Sequence, residues 1–574
     1  MTVAEIMEKG VKFSFFGDKG VLIHFGEKPD EVSSKKAISL SQLIEKEEIC
    51  GVIDTQVSYN SIVIYYDPLK IDAGLLIDRL RDLEKGVDEV TLPPPKVYEI
   101  PTLYGGEYGP DLEYVAEYHG ITPEEVIRIH TKEPFLVYRM GLNVHNLVPE
   151  KLITPRRKVP RLKVFAGDVG IGNKQTGPYV IDCPGGWNII GRTPLKLYDP
   201  QRNPPFLFEI GDYVHYRAID EGEFKALEEA NKGFVNSIKS KSVDNNLGVF
   251  KVIEPGLLST IQDIGRFNYR RFGIPGGGPM DDFSFRIGNI LVGNGEYEAA
   301  LEVTALGPTM MALEDTAIAI TGGDLGFTVN KKPLPMWEVI GIKKGDLLIA
   351  SKILRPRKGC RAYISVVGGI DVPIVMGSKS TSVPYHIGGI DGRALVAGDV
   401  IRSGRFEIGV NSIIGRKTLR EIDSKIGEIL PDPEKGVTVL RVIMGPFEDH
   451  FASDSIDRFL DSEYTITPQS DRAGYRLEGP DIKHNAKGPD ITTTGHVPGA
   501  IQVPGSFKPI IFLHERSAGG YAVIATVISP DLCRLAQLKP GDKIRFKKVS
   551  LEESHVVLKE YEESITRFKS CFGV

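Results

Sequence analysis

The chain has 574 residues, 41% of them hydrophobic and 25% charged, with a net charge of −6. That length exceeds what one core supports and implies several domains, which the hydrophobic content is ample to bury. A mild negative charge without a concentrated basic stripe argues against a nucleic-acid partner, and the absence of a long apolar run argues against a membrane span.

The N-terminus MTVAEIMEKG is charged and has no apolar segment of the kind a secretory leader needs. Five cysteines, Cys50, Cys183, Cys360, Cys533 and Cys571, are odd in number and far apart. That spacing fits neither a disulfide framework nor a zinc site, so a reduced, cytoplasmic protein is expected, with each thiol a small buried hydrophobe.

From residue 11 to 95 apolar strand runs (Val21 to Phe25, Ser61 to Tyr66) alternate with helical patterns (Ser34 to Glu47, Ile71 to Leu83). This is the cadence of a small α/β domain, placed at 1–95 and closed by Pro93, Pro94 and Pro95. Across 96–220 one helix, Pro123 to Thr131 with Thr122 as its N-cap, interrupts short strands between Gly/Pro turns, which predicts a barrel. The charged stretch 221–246 reads as a helix and polar linker. Beyond it, 247–410 and 411–550 read as two further barrels and 551–574 as a C-terminal tail or helix. Gly211-Asp212, Gly345-Asp346, Gly398-Asp399 and Gly541-Asp542 each precede an alternating strand. Glycine supplies the turn conformation and aspartate caps it, so the repeat is structural. The fold class is mainly β, with an α/β domain in front.

Several familiar chemistries are missing. The glycine-rich stretch GDVGIGNKQTG (167–177) lacks the order of a P-loop, no HExxH or metal-spaced histidine pair occurs, and no GxSxG elbow is present. No metal site is expected. What remains is a set of amide, hydroxyl and guanidinium donors beside glycine-rich backbone, suited to a small anionic amide. The densest part is EPGLLSTIQDIGRFNYRRFGIPGGGPMD (254–281), where Gln262, Asp263, Arg266, Arg270 and Arg271 adjoin a Gly/Pro loop. Arg266, Asp263, Arg192 and His130 are the candidate catalytic groups. Arg192 lies between glycine and threonine after the PGGW turn (184–187); His130 ends a helix whose dipole favours its charged form. Candidate substrate-binding residues are Gln175, Thr176, Gln262, Glu302, Ser378, His386, Arg472, Gln502, His514 and Arg516. Asp281 reads as the N-cap of a helix at Phe283 to Leu291. Glu302 sits in the apolar run ALEVTAL and needs a cation, for which Arg266 is a candidate.

Three ordered blocks, IQDIGR with FGIPGGGPMDDFSFRIGNILVGN and ALEVTALGP, then AYISVVGGIDVPIVMGSKSTSVPYHIGGIDGR, then SDRAGYRLEG through LAQLKPGDKIRF, resemble the KipA family, also called allophanate hydrolase subunit 2 or PxpC. FFGDKGVLIHFG, YNSIVIYYDP, the 104–131 segment, QTGPYVIDCPGGWNIIGRTPLKLYD and GDYVHYRAI resemble its partner family, KipI or PxpB, so nearly the whole chain resembles a fusion of the two. The resemblance implies cyclophilin-like barrels, one in the first half and two in the second. It also implies an ATP-dependent 5-oxoprolinase opening 5-oxoproline to glutamate with a separate LamB/YcsF-like third subunit, the ATP bound in that complex. The same modules are similar to the carboxyltransferase part of urea carboxylase, where biotin would come from a partner. A third reading is a non-catalytic KipI/KipA-type regulator of a histidine kinase. The chain departs from the family at Met140 to Leu147, where a GFxPGFxYL stretch is usual, and at His514 and Arg516 ahead of Gly519-Gly520-Tyr521.

Overall fold

The computed structural model describes residues 6–8, 10–235, 248–350, 359–404, 409–430 and 436–572. The first unit is an antiparallel sheet in the order Ile6–Glu8, Val11–Phe15, Gly20–Phe25, Ser61–Tyr66, Val52–Ser58. Helices Glu31–Glu47 and Ala73–Glu84 pack on one face through Ile23, Leu40, Ile62, Ile64 and Leu76. Every residue of Ser61–Tyr66 is buried because the other face is covered too: Leu22, Val63 and Tyr65 meet Val497, Ala500 and Val523 from the far end of the chain. A strand covered on both sides loses the alternation of a half-solvated one.

The next unit wraps seven strands in the order Phe135–Leu136, Tyr213–Ala218, Val97–Tyr104, Asn188–Arg192, Asp168–Gly172, Gln175–Pro178, Asn146–Leu147. The predicted helix is found at Pro123–His130, and the Thr122 hydroxyl accepts the Glu125 N–H as its cap. A second helix, Leu112–His119, joins it where the sequence predicts only one. It is short and opens without a side-chain cap, so its sequence carries few start signals. The helix Glu221–Val235 follows; the remainder of the expected linker, 236–247, lies outside the described residues.

The second half begins with two facing sheets, of six and five strands, around a core that includes Phe250, Leu301, Ile320 and Ile364. Helix Asp282–Leu291 lies over the five-stranded sheet, with Asp281 as N-cap as expected: its carboxylate accepts the Ser284 N–H at 3.0 Å. Last comes a closed barrel of seven strands, Val437–Met444, Val523–Val527, Ala500–Gln502, Ile510–Phe512, Gly474–Glu478, Glu463–Ile466 and Lys543–Lys548. The tail is a helix, Leu551–Ser570, with a Ser550/Glu553 capping box.

The four Gly-Asp turns share one geometry. Gly211, Gly345, Gly398 and Gly541 have φ of 97°, 88°, 97° and 93°. Each aspartate accepts the N–H three residues earlier, at 2.9, 2.8, 2.8 and 3.0 Å. Cys183, Cys360 and Cys533 are buried as expected, but Cys50 and Cys571 are exposed. They sit in a turn after the first helix and past the end of the last, beyond the reach of either core.

The halves interlock. Phe272, Ile274, Tyr385 and Ile387 from the second half complete the core of the seven-stranded unit in the first. Asp18 accepts from Ser529, and Asp54 from the Asn268 N–H.

Candidate functional site

The loop from Asp263 to Asp281 is the junction of all these units, and its conformation is built from buried polar contacts. The Asp263 carboxylate accepts from Gly265 N (2.9 Å), Ser378 Oγ (2.5 Å), Lys379 N (2.6 Å) and Ser380 Oγ (2.7 Å). Asp263 and Ser378, each a candidate from a different stretch of the sequence, are brought together as a staple between two loops, and the Asp263 acceptor capacity is used within the protein. Arg266 is 1% exposed; it donates through Nη2 to the Ser380 carbonyl, while Nε and Nη1 are buried without a partner. Gln262 donates to Thr260 Oγ1 and the Thr381 carbonyl.

Glu302 does find a cation, but it is Arg472 rather than Arg266. The carboxylate accepts from Arg472 Nη1, from Met280 N at 2.8 Å and from Tyr363 OH at 2.8 Å. Arg472 reaches on to the Gly278 carbonyl (2.8 Å) and to Glu515 (3.5 Å), and Ser382 donates to Glu515 (2.6 Å). Burial raises the Glu302 carboxyl, and the Arg472 and Arg361 guanidiniums outweigh that, leaving it below its usual value. The strand holding Glu302 points it at the C-terminal barrel, whereas Arg266 turns back toward the Ser380 loop.

Two first-half candidates are internally satisfied. Arg192 Nε donates to Asp168 at 2.5 Å, and its guanidinium lies over the Tyr108 and Phe165 rings. His130 is enclosed by Phe135 and Tyr216, with Nδ1 2.8 Å from Tyr104 OH and Nε2 2.8 Å from Thr176 Oγ1. Burial drops its pKa to about 3, so desolvation overrides the helix dipole and the ring is neutral. His386 is exposed, in a left-handed turn with φ 53°.

The remaining candidates converge on a seam between the halves, where they meet residues the sequence did not single out. From the first half, His145 Nε2 lies 3.1 Å from Arg139 Nη1 and 2.9 Å from Asn143 Oδ1, and its Nδ1 lies 3.1 Å from Tyr59 OH. Gln175 donates to the same hydroxyl at 2.8 Å. From the second half, Gln502 Nε2 lies 2.5 Å from His496 Nε2, and Arg516 is exposed with its guanidinium near the Phe512 ring. Arg139 and Arg516 act electrostatically on each other and on His496. Among the described residues no carboxylate ion-pairs with Arg139, which is 7% exposed. Burial first, then Arg139, holds His145 well below its usual range; burial and the same arginine hold His496 at about 3. His514, bonded to the Gly277 carbonyl at 3.2 Å, is lowered to about 4 by burial and Arg472.

Two glycines keep the seam open. At Gly273, φ 71°, a Cβ would run into the Met140 carbonyl, and at Gly519 it would stand 2.6 Å from both Gln502 Nε2 and His496 Nε2. Arg139 and His145 carried one sequence signal: they flank and fill Met140 to Leu147, where the chain departs from the resembled pattern. The arrangement offers guanidinium charge, neutral imidazoles and amides without a competing carboxylate, which suits an anion bearing a planar amide.

Beside the seam is a cleft of about 380 Å³ lined from both halves, by Asp18 and Tyr65 on one side and Arg270, Gly277 and His514 on the other. Arg270 stacks over Tyr65, 4.5 Å from the ring centre. Among the described residues no cluster of three or more His, Cys, Asp or Glu could hold a metal, and no helix is long and apolar enough to cross a membrane.

Comparison with known proteins gives two family matches: "Carboxyltransferase domain, subdomain C and D" over residues 11–208, and "Carboxyltransferase domain, subdomain A and B" over 272–548. The chain is 34% identical to the 5-oxoprolinase C subunit of Escherichia coli K12 over 308 residues, 53% of this chain and 93% of that protein. It is 36% identical to the 5-oxoprolinase B subunit of Bacillus subtilis over 227 residues, 37% and 95% respectively. It is 35% identical to the urea amidolyase of Lachancea kluyveri over 326 residues, 54% of this chain but only 17% of that protein. The crystal structure of TTHA0988 superposes with a TM-score of 0.76 at 29% identity, covering 92% of this chain and 99% of that one.

Proposed function

The chain belongs to the carboxyltransferase-domain family and joins in one polypeptide the counterparts of the B and C subunits of 5-oxoprolinase; on that premise we propose that it is a component of an ATP-dependent 5-oxoprolinase-type amidohydrolase. Together with a separate LamB/YcsF-like subunit it would open the lactam of 5-oxoproline to glutamate. The observation that carries this reading is the seam. Arg139 from one half and Arg516 from the other lie within electrostatic reach of each other with no carboxylate ion-paired to either among the described residues.

Two like charges held together are stabilised by an anion, and 5-oxoproline brings a carboxylate next to a planar amide. Urea is neutral and offers no such compensation, so in the carboxyl-transfer reaction only carboxybiotin would bring an anion, whereas 5-oxoproline carries its own. Gln502 Nε2 is taken up by the Tyr521 carbonyl (2.9 Å) and by His496 Nε2, so with the carboxylate on the guanidiniums the donor left for the lactam oxygen is the neutral His496 through Nδ1, which is buried without a partner. Donors aimed at an oxygen that gains negative charge lower the barrier without reorganising. Tyr59, fixed by His145 and Gln175, holds the floor of the site.

ATP does not fit this chain's glycine-rich stretch. Residues 168–178 form a hairpin in tight register, Gly170 facing Gly177, and a Cβ at Gly177 would strike the Val144 carbonyl, so there is no loop to cradle a phosphate. On this reading the nucleotide is bound in the complex with the third subunit.

The test is reconstitution with a LamB/YcsF-like protein from the same genome, following glutamate released from 5-oxoproline and ATP. Turnover that falls at least about 10²-fold in Arg139→Gln supports the reading. A complex that ignores 5-oxoproline but carboxylates urea in the presence of carboxybiotin would replace it.

A further inference from the structure

The Gly273–Gly278 loop lies between two guanidiniums. On one side Gly273 presses on the Met140 carbonyl beside Arg139; on the other, the Cβ position of Gly277 is 3.5 Å from Arg266 Nη1. Arg266 is nine-tenths buried and more, and two of its three nitrogens, Nε and Nη1, have no partner. The third serves the Ser380 carbonyl. Among the described residues no carboxylate ion-pairs with it; Asp263 and Glu515 act on it only at a distance, and Asp263 is already saturated by its own loop donors.

A second unpartnered donor packs toward the same loop through Tyr385. Tyr198, from the first half, has a buried hydroxyl without a partner and lies within electrostatic reach of Arg266. Its ring meets Tyr385 edge-on at 6.5 Å, and Tyr385 in turn donates to the Gly273 carbonyl. Burying a permanent cation and a hydroxyl with unused donors is costly unless something accepts from them.

We propose that Arg266 and Tyr198 form a second oxyanion site, for a phosphate or carboxylate group, beneath the glycine loop and distinct from the Arg139 seam. The acceptor would be an oxyanion because a guanidinium is a permanent cation whose unused N–H groups pair best with a charged oxygen; Nε and Nη1 share no common edge, so Nη1, the one beside Gly277, is the donor that a carboxylate or phosphate oxygen would reach. The route is short. Gly277 lines the 380 Å³ cleft, and its Cβ position is 3.5 Å from Arg266 Nη1. Gly277 and Gly278, at φ 67° and 93°, hold conformations that only glycine adopts readily, and a shift of this one peptide would bring the guanidinium to the cleft wall.

The experiment uses the full chain and needs no turnover, so its outcome is separable from the identity of the amide taken at the seam. Binding of inorganic phosphate and, separately, of acetate is measured by calorimetry at constant ionic strength in chloride, for the wild type, Arg266→Gln and Arg139→Gln. Saturable binding of at least one anion is expected, weakened about tenfold to a hundredfold in Arg266→Gln and retained in Arg139→Gln. Phosphate alone would mark a phosphoryl site and acetate alone a carboxylate site. No saturable binding of either, or loss only in Arg139→Gln, overturns the proposal. Should Arg266→Gln not fold, Tyr198→Phe decides: several-fold weaker binding supports the site, and unchanged affinity removes it.

Discussion

Replacing Arg472 by Met would leave Glu302, 1% exposed, with only the Met280 N–H and the Tyr363 hydroxyl as donors. Removing one partner of a buried ion pair costs about 3–5 kcal/mol, because the other charge stays buried and uncompensated. The Gly278 carbonyl also loses its donor, worth about 1 kcal/mol. The expected loss is therefore about 4–6 kcal/mol near pH 8. In the wild type the folded Glu302 carboxyl is held below its usual value. Its contribution is thus complete above the unfolded pKa and lost as pH falls through the lower, folded one. In Arg472→Met only Arg361 is left to oppose burial, so the carboxyl rises, and protonation at falling pH relieves the variant. Urea unfolding at pH 8 and pH 5 should show the gap between the two proteins narrowing at the lower pH. The double variant Glu302→Gln/Arg472→Met should recover much of the loss. A loss below about 1 kcal/mol, the value of an exposed pair, or a gap that does not change with pH, would refute the claim that this pair ties the C-terminal barrel to the glycine loop.

Arg139→Gln and Arg192→Gln should separate in the reconstituted complex: the first lowers turnover about 10²-fold or more, and the second, ion-paired to Asp168 and stacked on two rings, chiefly lowers thermal stability. Equal loss of turnover in both would return Arg192 to the chemistry. Cutting the chain at a protease site engineered between Val235 and Gly248 should leave fragments that co-elute, since Phe272 and Ile274 sit in the core of the first half; free separation without denaturant would contradict that packing. Asp54 is raised to about 6 by burial, against the pull of Arg270. It therefore stabilises the fold below its unfolded pKa of about 3.9, an effect lost as pH rises through 6; Asp54→Asn should flatten that part of the stability profile, and an unchanged profile would assign it elsewhere. The chain by itself should release no glutamate from 5-oxoproline and ATP, and robust release would place the nucleotide site here after all.

What the sequence made legible was local. The Gly-Asp turns, the Thr122 and Asp281 caps and the apolar strand runs of the first sheet all depend on residues within a few positions of one another. Asp263 and Ser378 were each legible as loop candidates, since both lie among glycines and small polar residues, but not as partners of one another. The failures are of two physical kinds. One is partner choice: Glu302 lies 36 residues from Arg266 in the sequence and 170 from Arg472, yet strand direction, which proximity along the chain does not encode, gives it the distant arginine. The other is environment. His130 has the position of a charged helix terminus, and only the enclosing Phe135 and Tyr216 make it neutral.

Arg139 combines both difficulties. In YRMGLNVHNL it reads as one more basic residue in a turn, because the sequence does not reveal that the second half will bury it without supplying a carboxylate. A buried charge left uncompensated within its own chain is a tertiary property. It arises only when two halves, each able to satisfy its own polar groups elsewhere, meet along a surface where both present cations. On the proposed reading that is also why the two halves act as one: Arg516 is exposed even in the assembled chain, so the field that would select an anion depends on the second half closing over Arg139, with Gly273 packed against Met140.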